Sequence, residues 1–93
     1  MTYKEWFDGL ELEGDIDSIH SVFCSVRDKE GYGGCEVKQV GATTIVSVPG
    51  TVDGEYVFSS QSEIDEFCNW LDERYGNGVE AEYVAWKANQ RKD

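Results

Sequence analysis

The chain has a single histidine, His20, four residues before a cysteine, Cys24. On a helix that spacing sets an imidazole beside a thiol, the pairing that activates a cysteine nucleophile. A working site also needs a group to orient the base and donors for an oxyanion. Neither is recognisable, so the pair reads as a partly exposed histidine next to a structural thiol. Carboxylates are so frequent that chance brings pairs together, which removes any argument for glycosidase-type acid/base chemistry. A calcium loop starting at Asp15 fails, because its sixth and twelfth positions, where glycine and glutamate belong, hold His20 and Val26. Gly31-Tyr32-Gly33-Gly34 has neither a preceding strand nor a phosphate-binding lysine, so it is a turn. Cys24, Cys35 and Cys68 are odd in number and widely spaced. They form neither a disulfide framework nor a zinc motif, and are expected to be buried small hydrophobes. No catalytic residue, metal ligand or cofactor motif emerges, and the residues point away from an enzyme.

Charge is the feature that stands out. Nineteen acidic residues against eight basic ones give a net charge of −11 over 93 residues, and the pI is near 4.3. Self-repulsion opposes the folded state, while a chain with three tryptophans, five tyrosines and four phenylalanines has the means to build a core. Direct nucleic-acid binding needs a cationic footprint, and this chain has the opposite sign. Its expected partner is a cationic protein or ribonucleoprotein. No apolar run is long enough to span a bilayer, and the start lacks the pattern of a signal peptide. The expectation is no membrane contact and a bacterial cytoplasm.

The elements that must position these charges can be read in order. Thr2 and Glu5 have capping-box spacing ahead of Tyr3, Trp6, Phe7 and Leu10, which predicts a short amphipathic helix. Residues 17–27 are ambiguous between strand and helix, and the stripe Ile19, Val22, Phe23, Val26 favours helix. Period-two patterns predict strands over 35–40, 43–48 and 55–59, the first two joined by Gly41-Ala42 as a hairpin. A further helix begins at Ser60, with Glu63 completing a capping box and Gly76 supplying the left-handed stop. Ile64, Phe67, Cys68, Leu71 and Tyr75 form its buried stripe. Val79, Tyr83, Trp86 and Gln90 predict a last helix over 79–91. The expected class is α+β: one domain over 1–93, a three-stranded antiparallel sheet packed against helices in the order α(α)βββαα.

Acids concentrate in two places. Residues 1–20 carry six acids and one base, and residues 53–82 carry nine acids and one base, Arg74. On the Ser60 helix Asp65 and Asp72, like Glu66 and Glu73, stand seven residues apart, an axial separation of roughly 10.5 Å. Glu11, Glu13, Asp15 and Asp17 alternate with other residues, so an extended backbone would space them by roughly 6.7 Å on one face. Any helix buried on one side must solvate the other, and acids do that well. An ordinary solvated face, however, interleaves lysine with glutamate, and here bases are nearly missing.

Glu30-Gly31-Tyr32, Tyr56, Ile64 and Trp70-Leu71-Asp72-Glu73 together resemble small acidic phage anti-CRISPR proteins of the DNA-mimic kind, notably one that inhibits type I-F surveillance complexes. The resemblance covers roughly residues 30–75. It implies a stoichiometric inhibitor whose carboxylates occupy the channel where an RNA-guided complex receives target DNA. Asp72 and Glu73 match that family's acidic pair after Trp-Leu, Asp65 and Glu66 lie on the same helix, and Glu80 and Glu82 fall where the family continues with acids. Lys87, Arg91 and Lys92 depart from its glutamate-rich end. The competing function is an immunity protein or antitoxin that neutralises a basic toxin or nuclease, since such partners also use carboxylate patches for steering. Between the acid clusters, the helix is expected to bind more strongly than the row at 11–17, because a packed helix is preorganised and a row containing Gly14 is not.

A fold without metal or disulfide predicts thermal unfolding that barely responds to EDTA or reductant. A melting shift above about 10 °C on adding EDTA would reveal a structural metal.

Overall fold

Seven elements follow one another as α1 (Tyr3–Gly9), α2 (Ile16–Asp28), β1 (Glu36–Val40), β2 (Thr43–Ser47), β3 (Glu55–Phe58), α3 (Gln61–Arg74) and α4 (Gly78–Gln90). They are seen in a computed structural model that describes residues 1–12 and 14–90. The sheet is antiparallel with strand order β1-β2-β3, so the class is α+β and the order ααβββαα. No helix among the described residues is long and apolar enough to cross a membrane.

Local chemistry accounts for the boundaries. Thr2 Oγ1 accepts the Glu5 N–H at 3.3 Å while the Glu5 carboxylate accepts the Thr2 N–H at 3.4 Å, closing the expected capping box on α1. Residues 17–27 resolve as helix. Asp15 caps α2 by accepting the Ser18 N–H at 3.3 Å and the Ser18 hydroxyl at 2.8 Å, and the stripe Ile19, Val22, Phe23 and Val26 is fully buried. That cap disposes of the extended acidic row. Glu11 sits in a left-handed turn at φ 54°, Asp15 is the cap, Asp17 lies in the first turn of α2, and Glu13 lies outside the described residues. Negative side chains near a helix N-terminus satisfy orphan amides and meet the positive end of the dipole, which an extended row does not offer.

The hairpin forms as expected. Val40 pairs with Thr43, leaving Gly41-Ala42 as a two-residue turn whose first position has φ 61°. Between β2 and β3 the chain closes on itself where the Val48 N–H donates to the Gly54 carbonyl at 2.8 Å. A Cβ on Gly54 would stand 2.3 Å from the Val48 carbonyl oxygen, so only glycine fits. Thr44, Val46, Tyr56 and Phe58 turn one sheet face to the helices, whereas Ile45 and Val57 lie on the open face.

On α3, Ser60 Oγ accepts the Glu63 N–H at 3.2 Å. The reciprocal arm differs from the expected box: Glu63 accepts the Ser59 N–H at 2.9 Å and the Tyr56 hydroxyl at 2.6 Å. Glu63 therefore ties the helix start to β3. At the other end Gly76 has φ 65°, and the Asn77 N–H reaches back to the Asp72 carbonyl at 2.6 Å, closing a Schellman stop. The last helix starts one residue earlier than expected, and Arg91 lies outside the described residues.

Aromatic rings from three elements meet at Phe67, which is wholly buried. Its ring centroid lies 5.8 Å from both Tyr3 and Trp6, 6.0 Å from Phe7, 5.3 Å from Phe58 and 6.2 Å from Trp70. The three cysteines are buried and free. Phe67→Ala should cost about 3–5 kcal/mol in urea unfolding, whereas Val57→Ala on the open sheet face should change stability by less than about 0.5 kcal/mol. Equal losses would place the core elsewhere.

Candidate functional site

The buried stripe of α3 decides which carboxylates face outward. With Ile64, Phe67, Cys68 and Leu71 turned in, Asp65, Glu66, Asn69 and Glu73 are exposed. Asp65 accepts a hydrogen bond from the Gln61 side-chain amide at 3.1 Å. Glu66 and Glu73 make no hydrogen bond or ion pair among the described residues. Burial raises the pKa of the Tyr3 phenol, and the negative charges of Glu66 and Glu63 raise it further. Glu73 sits in the last turn of α3, where the carbonyl end of the helix disfavours negative charge. Its position is unfavourable to the helix itself.

The only base on α3 does not neutralise this face. Arg74 Nη1 lies 2.6 Å from Asp8 on α1, and its guanidinium sits 5.1 Å from the Trp70 ring centroid. Arg27 is likewise paired with Glu80 at 2.5 Å, and Lys87 with Asp28 at 3.1 Å. Three cations are thus engaged by acids of neighbouring elements, and Glu66 and Glu73 on the outer side of α3 have no ion-pair partner among the described residues.

Asp72 departs from the expected exposed position. It is half-buried, and its Oδ1 accepts the Glu80 N–H at 3.1 Å. The tight turn through Gly76 and Asn77 brings the first-turn amides of α4 beside this carboxylate, and a carboxylate at a helix N-terminus is more stable there than in solvent. Asp72 holds α4 to α3. Of the other expected site residues, Glu80 is partly covered and paired, while Glu82, Glu11 and Asp17 are exposed. Asp15 is occupied as a cap, which holds its carboxyl below its ordinary pKa through the Ser18 hydrogen bonds. The structure therefore brings Asp65, Glu66 and Glu73 together on the exposed face of α3, while Asp8 and Glu11 lie beside Arg74 at its C-terminal end.

One carboxylate that spacing did not single out is central to the packing. Asp28 accepts the Tyr83 hydroxyl at 2.5 Å, the Lys87 ammonium at 3.1 Å and the Tyr32 hydroxyl at 3.4 Å. Two of these partners lie 55 and 59 residues away along the chain, beyond the reach of any local pattern.

The His20/Cys24 pair does form, with Cys24 Sγ 3.5 Å from Nε2. Burial pushes the Cys24 thiol up to about 12, with the charge of Asp28 adding to the shift and Lys87 opposing it. At neutral pH it is a thiol, a poor nucleophile. The described residues hold no group of three His, Cys, Asp or Glu side chains able to hold a metal ion. A cleft of about 630 Å³ lies along the open sheet face, lined by Lys38, Ile45, Ser47 and Glu55, away from the acids of α3.

No protein-family model, curated protein or solved structure matches the chain. The charge geometry of α3 has to carry the functional argument.

The two neighbouring acids should separate in stability measurements. Asp72→Ala should cost about 1 kcal/mol through the lost α4 contact, whereas Glu73→Ala should be neutral or stabilising by up to about 0.5 kcal/mol. Urea unfolding of both variants measures the difference, and equal effects would remove the capping role of Asp72.

Proposed function

We propose that this chain is a stoichiometric inhibitor that mimics DNA with an acidic surface and blocks the cationic nucleic-acid-binding site of a host CRISPR complex, or of a restriction complex. The observation that carries this reading is the outer face of α3, where Asp65, Glu66 and Glu73 are exposed on a helix held by fully buried residues and the helix's own arginine is bound to Asp8. Glu66 and Glu73, seven residues apart, present charge at an axial interval of roughly 10.5 Å on a backbone that is already ordered. A channel lined with lysine and arginine would meet them as it meets phosphates about three nucleotides apart on one strand. Glu73 also gains what its position in the last turn of α3 does not give it, a cationic neighbour.

Competition with target DNA tests the reading on a purified surveillance complex. Glu66→Lys combined with Glu73→Lys should leave the melting temperature within a few degrees of the parent and weaken inhibition by more than about tenfold. Glu11→Lys with Asp17→Lys should lose less. Raising salt from about 50 to 500 mM should weaken the complex of the parent chain. Unchanged inhibition by the Glu66/Glu73 variant would end the mimic reading, and inhibition of a basic nuclease toxin in place of the complex would turn the same surface to immunity.

A further inference from the structure

Helix α4 is apolar on two sides. Val79, Tyr83 and Trp86 face inward, with the Tyr83 ring 5.5 Å from Phe23 and the Trp86 ring 5.1 Å from Tyr32. At 3.6 residues per turn Ala81, Val84, Ala85 and Ala88 lie on the opposite side. All four are exposed, Val84 at 57%. Helix propensity explains alanines on a solvent face, but not a β-branched valine among them. A cleft of about 240 Å³ opens beside Val84, lined by Tyr83, Lys87 and Ala88.

The polar residues bordering this face are arranged with a definite sense. Glu80 and Lys87, seven residues apart, share one flank, and Glu82 and Asn89, also seven apart, share the other. We propose that this face binds a second copy of the chain, with the two α4 helices antiparallel about a two-fold axis between Val84 and Ala85. In that arrangement Ala81 faces Ala88 of the second copy and Val84 faces its Ala85. Like flanks meet in an antiparallel pair, so Glu80 opposes Lys87 and Glu82 opposes Asn89, each twice. A parallel pair brings unlike flanks together and sets Glu80 against Glu82, carboxylate on carboxylate. A second copy in the antiparallel direction thus supplies the complementary charge at both ends of the face, and the parallel direction does not.

The in-chain partners do not block this. Glu80 and Lys87 keep side-chain exposures of 37% and 43% while bound to Arg27 and Asp28, and an ammonium has N–H donors to spare for a second carboxylate. Alanine contacts let helix axes approach to about 8 Å, the near end of the packing range. A single-helix contact is small and the net charge of −11 on each copy opposes it, so the association is weak and favoured by screening.

Sedimentation equilibrium of the intact chain from about 10 µM to 1 mM, in about 0.3 M salt, tests the proposal. The mass should rise toward twice the 10.5 kDa of one chain. Ala85→Glu, an exposed change to a strong helix former, should leave melting unaltered and weaken association at least about tenfold, and Val84→Asp should do the same. Direction is read by oxidation. The double variant Ala81→Cys with Ala88→Cys should cross-link between copies, while Ala81→Cys alone should not. A monomer at every concentration, a dimer indifferent to Ala85→Glu and Val84→Asp, or cross-linking of the single cysteine variant overturns the proposal. The acids of α3 take no part in this contact, so its failure leaves the inhibitor reading standing.

Discussion

The orientation of α3 depends on how Phe67 is held. Rings from α1, β3 and α3 itself surround it, several of them edge-to-face. Such contacts add about 0.5–1.5 kcal/mol each beyond burial, although they do not sum simply. Glu66 directly precedes Phe67, so a rotation of α3 by one residue would drive a carboxylate into that cluster. Burying an uncompensated charge is prohibitive. The aromatic cluster and the acidic face are therefore two consequences of one helix phase.

Cations are arranged to serve the fold and to leave one face negative. Arg74 binds α3 to α1, Arg27 reaches Glu80 across α2 and α4, and Lys87 meets Asp28 beside two tyrosine hydroxyls. Each pair is at least partly solvated and contributes modestly to stability. Their larger effect is on the distribution of charge. Three of the bases sit at the junctions between elements, and Glu66 and Glu73 on the outer side of α3 have no ion-pair partner among the described residues.

Much of the architecture was legible in one dimension. The capping spacing of Thr2 with Glu5, the period-two runs around Gly41-Ala42, and the stripe from Ile64 to Leu71 all encode short-range physics and appear in the structure as expected. Legibility failed where a side chain had a choice of partner. Glu63 gave its reciprocal bond to Ser59 and Tyr56 instead of Ser60, and Asp72 turned from solvent toward the amides of α4. Glu11 and Asp15 left the expected extended row because Asp15 found an amide to cap and Glu11 a left-handed turn.

By itself the sequence determined the class, the order of elements, the burial of the cysteines and the excess of negative charge, since each follows from composition or from spacing within a few residues. Tertiary structure decided which carboxylates remain available. Asp65, Glu66, Asp72 and Glu73 are equivalent acids on one helix until the position of α4 is known. The short Gly76-Asn77 turn then places an N-terminus beside Asp72 and leaves Glu73 without a partner among the described residues. Contacts such as Asp28 with Tyr83 and Lys87 join residues far apart along the chain, and spacing carries no record of them. Only packing brings such groups within hydrogen-bond range.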